Sequence, residues 1–199
     1  MSMARCVLVL VALVAALAAP AWADYEAGQR AVLSLDFSTA LAEWKPLAEA
    51  GHADAQNGLG GLYHMGMGVP QNYAEAARWY RWAAEQGDAD AQFSLGVLYD
   101  HGLGVPQNYA EAARWYRRAA EQGDADAQFS LGVLYDLGQG VPQNYVLAFL
   151  WLDLAANQSS GEAFTRYAKA RDAVAIRLTP TQIVQVKEMT RAWKPKPER

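Results

Sequence analysis

Residues 53–88, 89–124 and 125–160 are three copies of one 36-residue block. The first and second copies are identical at 29 of 36 positions, and the second and third at 24 of 36. A block of this size is a single supersecondary unit that cannot bury its apolar face alone, so successive copies must stack on one another. No catalytic device has this form. The repeat predicts a solenoid and a binding scaffold, and leaves open what is bound.

Punctuation within the central copy divides it into two helices. Asp88 is a good N-cap, with Asp90 in the first turn where a carboxylate complements the helix dipole. Ala91, Leu95, Leu98 and Tyr99 then fall on one helical face. Gly102 stops the helix, and residues 102–106, Gly-Leu-Gly-Val-Pro, form a tight connector. Asn108 starts the second helix with Glu111 as its expected capping-box partner. Ala112, Ala113, Tyr116, Ala119 and Ala120 make its apolar face, and Gly123 ends it. Gly96, like Gly60 and Gly132, interrupts the first helix, where glycine costs about 1 kcal/mol against alanine. The expectation is that a neighbouring helix backbone approaches there.

These residues also resemble the Sel-one-like repeat family, an α/α solenoid related to the tetratricopeptide repeat. The resemblance rests on A-D-A-Q-x-x-L-G-x-x-Y, then G-x-G-V-P-Q-N-Y, then A-x-x-W-Y-R-x-A-A-E-Q-G-D, and spans residues 53–160. Its signature positions here are Leu59, Gly60, Tyr63 and Trp79, then Leu95, Gly96, Tyr99 and Trp115, then Leu131, Gly132, Tyr135 and Trp151. The tetratricopeptide unit is about 34 residues and tends to place proline between units. Here proline sits inside the unit. The resemblance implies an all-α superhelical solenoid of about five helical hairpins, with adaptor roles in complex assembly, envelope signalling or host interaction.

The ends differ from the repeats. Residues 1–23 read as a signal peptide: Arg5, an apolar run from Cys6 to Ala19 too short to span a membrane, then Ala21-Trp22-Ala23 before the cleavage point. Removal after Ala23 takes away the only cysteine and leaves no membrane span. It also makes the formal charge −5 in place of −4, because Arg5 goes with it. Residues 24–52 read as an N-terminal capping hairpin, 161–193 as C-terminal capping helices and 194–199 as a disordered tail. In the third copy Val146, Leu147, Phe149, Leu150, Leu152 and Leu154 replace smaller or polar residues, so a cover is expected, and residues 161–193 can supply it. Thr179-Pro180-Thr181-Gln182 is a clean helix start, and Ile183, Val186 and Met189 follow on one face.

Catalytic and metal chemistry find no foothold. His52, His64 and His101 occupy unrelated repeat positions and form no ligand spacing. Ser94 and Ser130 lie in F-S-L-G without a nucleophile elbow. No catalytic residue, metal site or cofactor is expected. A mildly acidic chain without a basic run gives no footprint for nucleic acid or anionic lipid.

Residues that differ between near-identical copies are therefore the candidates for partner binding. On the first helices these are Asn57, Phe93 and Phe129, together with His64, Asp100 and Asp136. Trp82, which replaces Arg118, is a candidate anchor, since aromatics are enriched at hot spots. Phe93 and Phe129, one repeat apart, read either as an aromatic ladder for an extended peptide or as inter-unit core. The expected protein is a monomeric, exported, non-enzymatic scaffold, periplasmic or secreted, binding a protein or peptide on the inner face. Two alternatives stand beside it: β-lactam binding or hydrolysis, which the resemblance attaches to a cysteine-rich branch, and peptidoglycan or carbohydrate binding through the aromatics.

Overall fold

The computed structural model describes residues 23–196. Of the expected signal segment only Ala23 falls among them, and residues 197–199 of the expected tail lie outside them as well. The described residues form ten α-helices and no strand: α1 Tyr25–Leu33, α2 Phe37–Glu49, α3 Ala53–Met65, α4 Tyr73–Glu85, α5 Ala89–His101, α6 Tyr109–Gln122, α7 Ala125–Leu137, α8 Tyr145–Asn157, α9 Gly161–Ala175 and α10 Pro180–Ala192. The fold class is the expected all-α repeat solenoid. The chain divides into two compact units, Met1–Ala83 and Ala84–Arg199, with the boundary inside α4.

The helix starts follow from short side chains at the N-caps. Asp88 and Asp124 accept from the N–H of Ala91 and Ala127 at 2.7 and 2.6 Å, and Asn108 accepts from Ala110 and Glu111. His52 does the same work for α3 through Nδ1, which accepts from Ala55 at 3.4 Å. The first helices stop at Gly66, Gly102 and Gly138, each left-handed with φ near 70°, where a side chain would be strained. Glu111 is no capping-box partner. The Asn108 N–H that it would have satisfied already donates to the Tyr99 carbonyl at 2.9 Å, so the Glu111 carboxylate turns to Arg114 at 3.5 Å. A capping box does form at α10, between Thr179 and Gln182, with Pro180 in the first turn.

In the first unit the core is built around Trp44 of α2, buried among Ala31, Ala40, Leu59, Leu62 and Trp79. Its ring occupies the space a Cβ would need at Gly28 and Gly58, and its Nε1 donates to the Tyr25 carbonyl at 3.1 Å. The first-unit connector returns to the preceding hairpin: a Cβ at Gly68 would meet the Phe37 carbonyl oxygen at 2.9 Å.

In the second unit Leu95, Leu98, Ala112, Tyr116, Ala120, Leu131 and Leu134 are buried, and every residue of α8 from Ala148 to Ala156 is buried. Helices α9 and α10 both pack on α8, contributing Tyr167, Val174 and Val186 to the interior. That covering answers the apolar replacements in the third copy. The face of α10 is turned from the expected one: Val186 and Thr190 are buried, while Met189 is 52% exposed. Thr190 faces inward because its hydroxyl donates to the buried Asp153 carboxylate at 2.9 Å. Residues 194–196, expected to fray, bond back to α6. The Lys196 N–H donates to the Glu121 carbonyl at 2.7 Å, and Pro195 lies against Gly123.

Candidate interaction surface

The signature residues of each copy are consumed by packing. Leu59, Leu95 and Leu131 are buried, and so are Trp79, Trp115 and Trp151. The Nε1 atoms of Trp79 and Trp115 are buried without a hydrogen-bond partner. Gly96 makes room for a side chain: a Cβ there would lie 2.6 Å from the ring of Tyr116, on the second helix of the same hairpin. The equivalent atom at Gly60 would meet Tyr80 at 2.5 Å, and at Gly132 it would meet Leu152 at 2.7 Å. At Gly60 and Gly96 the expected approach of a neighbouring backbone is instead the approach of an aromatic ring, whereas at Gly132 the Ala148 carbonyl oxygen, 3.2 Å from the added Cβ, comes close together with Leu152.

A second fixed device lies in the glutamine of A-D-A-Q. Gln92 and Gln128 are completely buried, and Gln56 nearly so. Each donates from Nε2 to a carbonyl in the last turn of the preceding helix: Gln56 to Ala48, Gln92 to Ala84 and Gln128 to Ala120, at 3.0–3.1 Å. In the second unit the end of the same hairpin's second helix adds another rung. Gln122 donates to the Gln92 Oε1 at 2.9 Å and Gln158 to the Gln128 Oε1 at 2.6 Å. Sequence reasoning missed this ladder, although an invariant glutamine at one position of three copies was its signal.

The variable residues are disposed differently. In the first unit Asn57 is half-buried on α3, and His64 stands edge-on to Tyr73 and Tyr80 at 5.4 and 6.2 Å. Burial lowers the His64 pKa below the usual imidazole value, so this side chain is neutral at pH 7. Trp82 belongs to α4. It is 41% exposed, set at 84° to Trp79 with centroids 4.9 Å apart, and the Arg78 guanidinium lies over both rings. Glu75 pairs with Arg78 at 2.7 Å and steadies it.

In the second unit Phe93 and Asp100 come together on Tyr116. The two rings are 5.7 Å apart, and the Tyr116 hydroxyl donates to the Asp100 Oδ2 at 3.2 Å. Burial, with Asp100 beside it, pushes the phenol pKa well above its ordinary value, so Tyr116 remains a donor. In the third copy Leu152 stands where Tyr116 would be, and the Asp136 Oδ1 is buried without a hydrogen bond. Phe129 is not brought into a common open face with Phe93. It stacks on Tyr167 of α9 at 4.8 Å and lies under the Arg166 guanidinium at 5.1 Å. Arg166 and the Tyr167 hydroxyl both bond to Asp126, which fastens this lid. Both phenylalanines are half-buried against the core, so the two rungs of the proposed ladder are not equivalent.

Among the described residues no group of three or more His, Cys, Asp or Glu side chains is placed to hold a metal ion. No helix among them is long and apolar enough to cross a membrane.

The Sel1 repeat family matches at residues 53–88, 89–124 and 125–160. Among solved structures, a Sel1 repeat protein from Oxalobacter formigenes is 34% identical with a TM-score of 0.70, covering 84% of this chain and 69% of its own. The chain is also similar to c5321, described as a protective antigen present in uropathogenic Escherichia coli strains and displaying an SLR fold. That pair is 28% identical with a TM-score of 0.58, covering 85% of this chain and 44% of the other. None of the curated proteins matches the chain.

Proposed function

The chain belongs to the Sel1 repeat family, whose members are generally protein-interaction scaffolds, and from that premise we propose that it is a non-enzymatic adaptor which binds a protein or peptide. One observation carries the reading. Positions common to the copies are used up in caps, ring-against-glycine contacts and the glutamine ladder, whereas Trp82, Phe93 and Asp100 vary and keep accessible surface. Binding is assigned to the first-helix faces bearing Asn57 and His64, and Phe93 and Asp100, with Trp82 as a separate anchor. Phe129 is the weakest candidate, because Tyr167 and Arg166 cover it.

The compartment is periplasmic or secreted in this reading. Its support is the signal-like segment 1–23. N-terminal sequencing of the exported protein tests it: a start at Asp24 agrees, and any other start requires a different boundary. In-cell cross-linking of the exported protein, with identification of what is captured, tests the adaptor role.

A further inference from the structure

Helix α8 carries one ionisable side chain within a buried apolar stretch. Asp153 is 3% exposed and stands where the central copy has Arg117. A carboxylate taken out of water is strongly unfavourable unless it is paired and hydrogen-bonded. Here the pairing is complete. Oδ2 accepts from the Thr190 hydroxyl at 2.9 Å and the Asn157 amide at 3.3 Å, and Oδ1 lies 3.4 Å from Arg171 of α9. Arg171 is held from its other side by Asp172 at 2.9 Å.

Asp153, Asn157, Arg171 and Thr190 wall a pocket of about 210 Å³ where α8, α9 and α10 meet, completed by Lys187 and Arg191. The volume corresponds to roughly seven waters at about 30 Å³ each, room for a small anion and part of its hydration shell. Lys187 and Arg191 are exposed, stand one turn apart on α10, and have no ion pair among the described residues. The lining thus sets three cations against one carboxylate, in a chain whose net charge is −4. Asp153 is itself satisfied, so it acts by fixing the Arg171 guanidinium and the Thr190 hydroxyl, and its charge keeps an anion toward the α10 side.

We propose that this pocket binds a small oxyanion, with Lys187 and Arg191 as its charged ligands and Arg171 as a third donor held by Asp153 and Asp172. A lysine supplies a compact charge and an arginine a planar fork matched to phosphate or carboxylate oxygens. The site lies wholly within the last three helices and is independent of any protein partner. Isothermal titration and thermal unfolding of the purified protein test it with inorganic phosphate, sulfate and acetate, each against chloride at equal ionic strength. The expected result is saturable millimolar or tighter binding of at least one oxyanion, with a matching rise in melting temperature. K187Q/R191Q should weaken that binding at least tenfold and leave the melting temperature in chloride unchanged. Preference for phosphate and sulfate assigns a tetrahedral anion, and preference for acetate a carboxylate. Absence of saturable binding by all three, or equal binding by K187Q/R191Q, overturns the proposal.

Discussion

At position 96 the space for a side chain is already filled by the ring of Tyr116, itself buried and tethered to Asp100. Gly96→Ala gains about 1 kcal/mol in helix propensity but overpacks the ring, for an expected net loss of about 1–3 kcal/mol in urea unfolding. Gly61 is the control. A Cβ there meets only the Tyr80 hydroxyl at 3.9 Å, so Gly61→Ala should be neutral or stabilising by up to about 1 kcal/mol. The aspartates one repeat apart give a second contrast. Asp100→Ala leaves the buried Tyr116 hydroxyl with Ser130 as its remaining partner and should cost about 1 kcal/mol. Asp136→Ala removes an oxygen that has no partner, and should cost nothing or add stability. His64 adds a pH dependence. Its folded pKa lies below the unfolded value near 6.5, so its contribution is complete above that value and is lost as pH falls toward the folded one. Between pH 7 and 5 the native protein should therefore lose more stability than His64→Gln, as read from denaturant midpoints.

Local chemistry explains which elements were legible in the sequence. The Asp88, Asn108 and Thr179 caps and the left-handed Gly102 involve partners within four residues, so spacing alone reveals them. The capping box expected of Glu111 fails for a non-local reason, because a carbonyl nine residues back takes the cap N–H. Likewise Met189 gives way to Thr190 on the buried face of α10 because Asp153 lies on another helix. The glutamine ladder is only half marked for the same cause: the constant glutamine flags the donor, but the backbone carbonyls it reaches carry no mark in the side-chain sequence. Gln128→Met keeps the volume but removes the buried side-chain bond to the Ala120 carbonyl, which keeps only the Gly123 N–H, and the rung from the exposed Gln158 amide. The expected loss is about 1–2 kcal/mol, checked by urea unfolding against Gln185→Met on the exposed side of α10.

For the molecule as a whole, the 36-residue period carried the fold class and the family, because stacked copies leave few alternatives. The candidate surface was less legible. Comparing copies picked out the residues free to vary, but could not show that α9 covers Phe129 or that Asp136 loses its tyrosine. Both follow from the single change in character of α8, which turns a third repeat into the seat of a cap. The central claim is that constant positions build the scaffold while varied ones bind. In-cell cross-linking of the native protein beside W82A and F93S, each first shown to unfold at the native midpoint or within about 1 kcal/mol of it, tests that claim most directly. The account predicts a captured partner whose yield falls severalfold in at least one variant. Equal capture by both variants would contradict it.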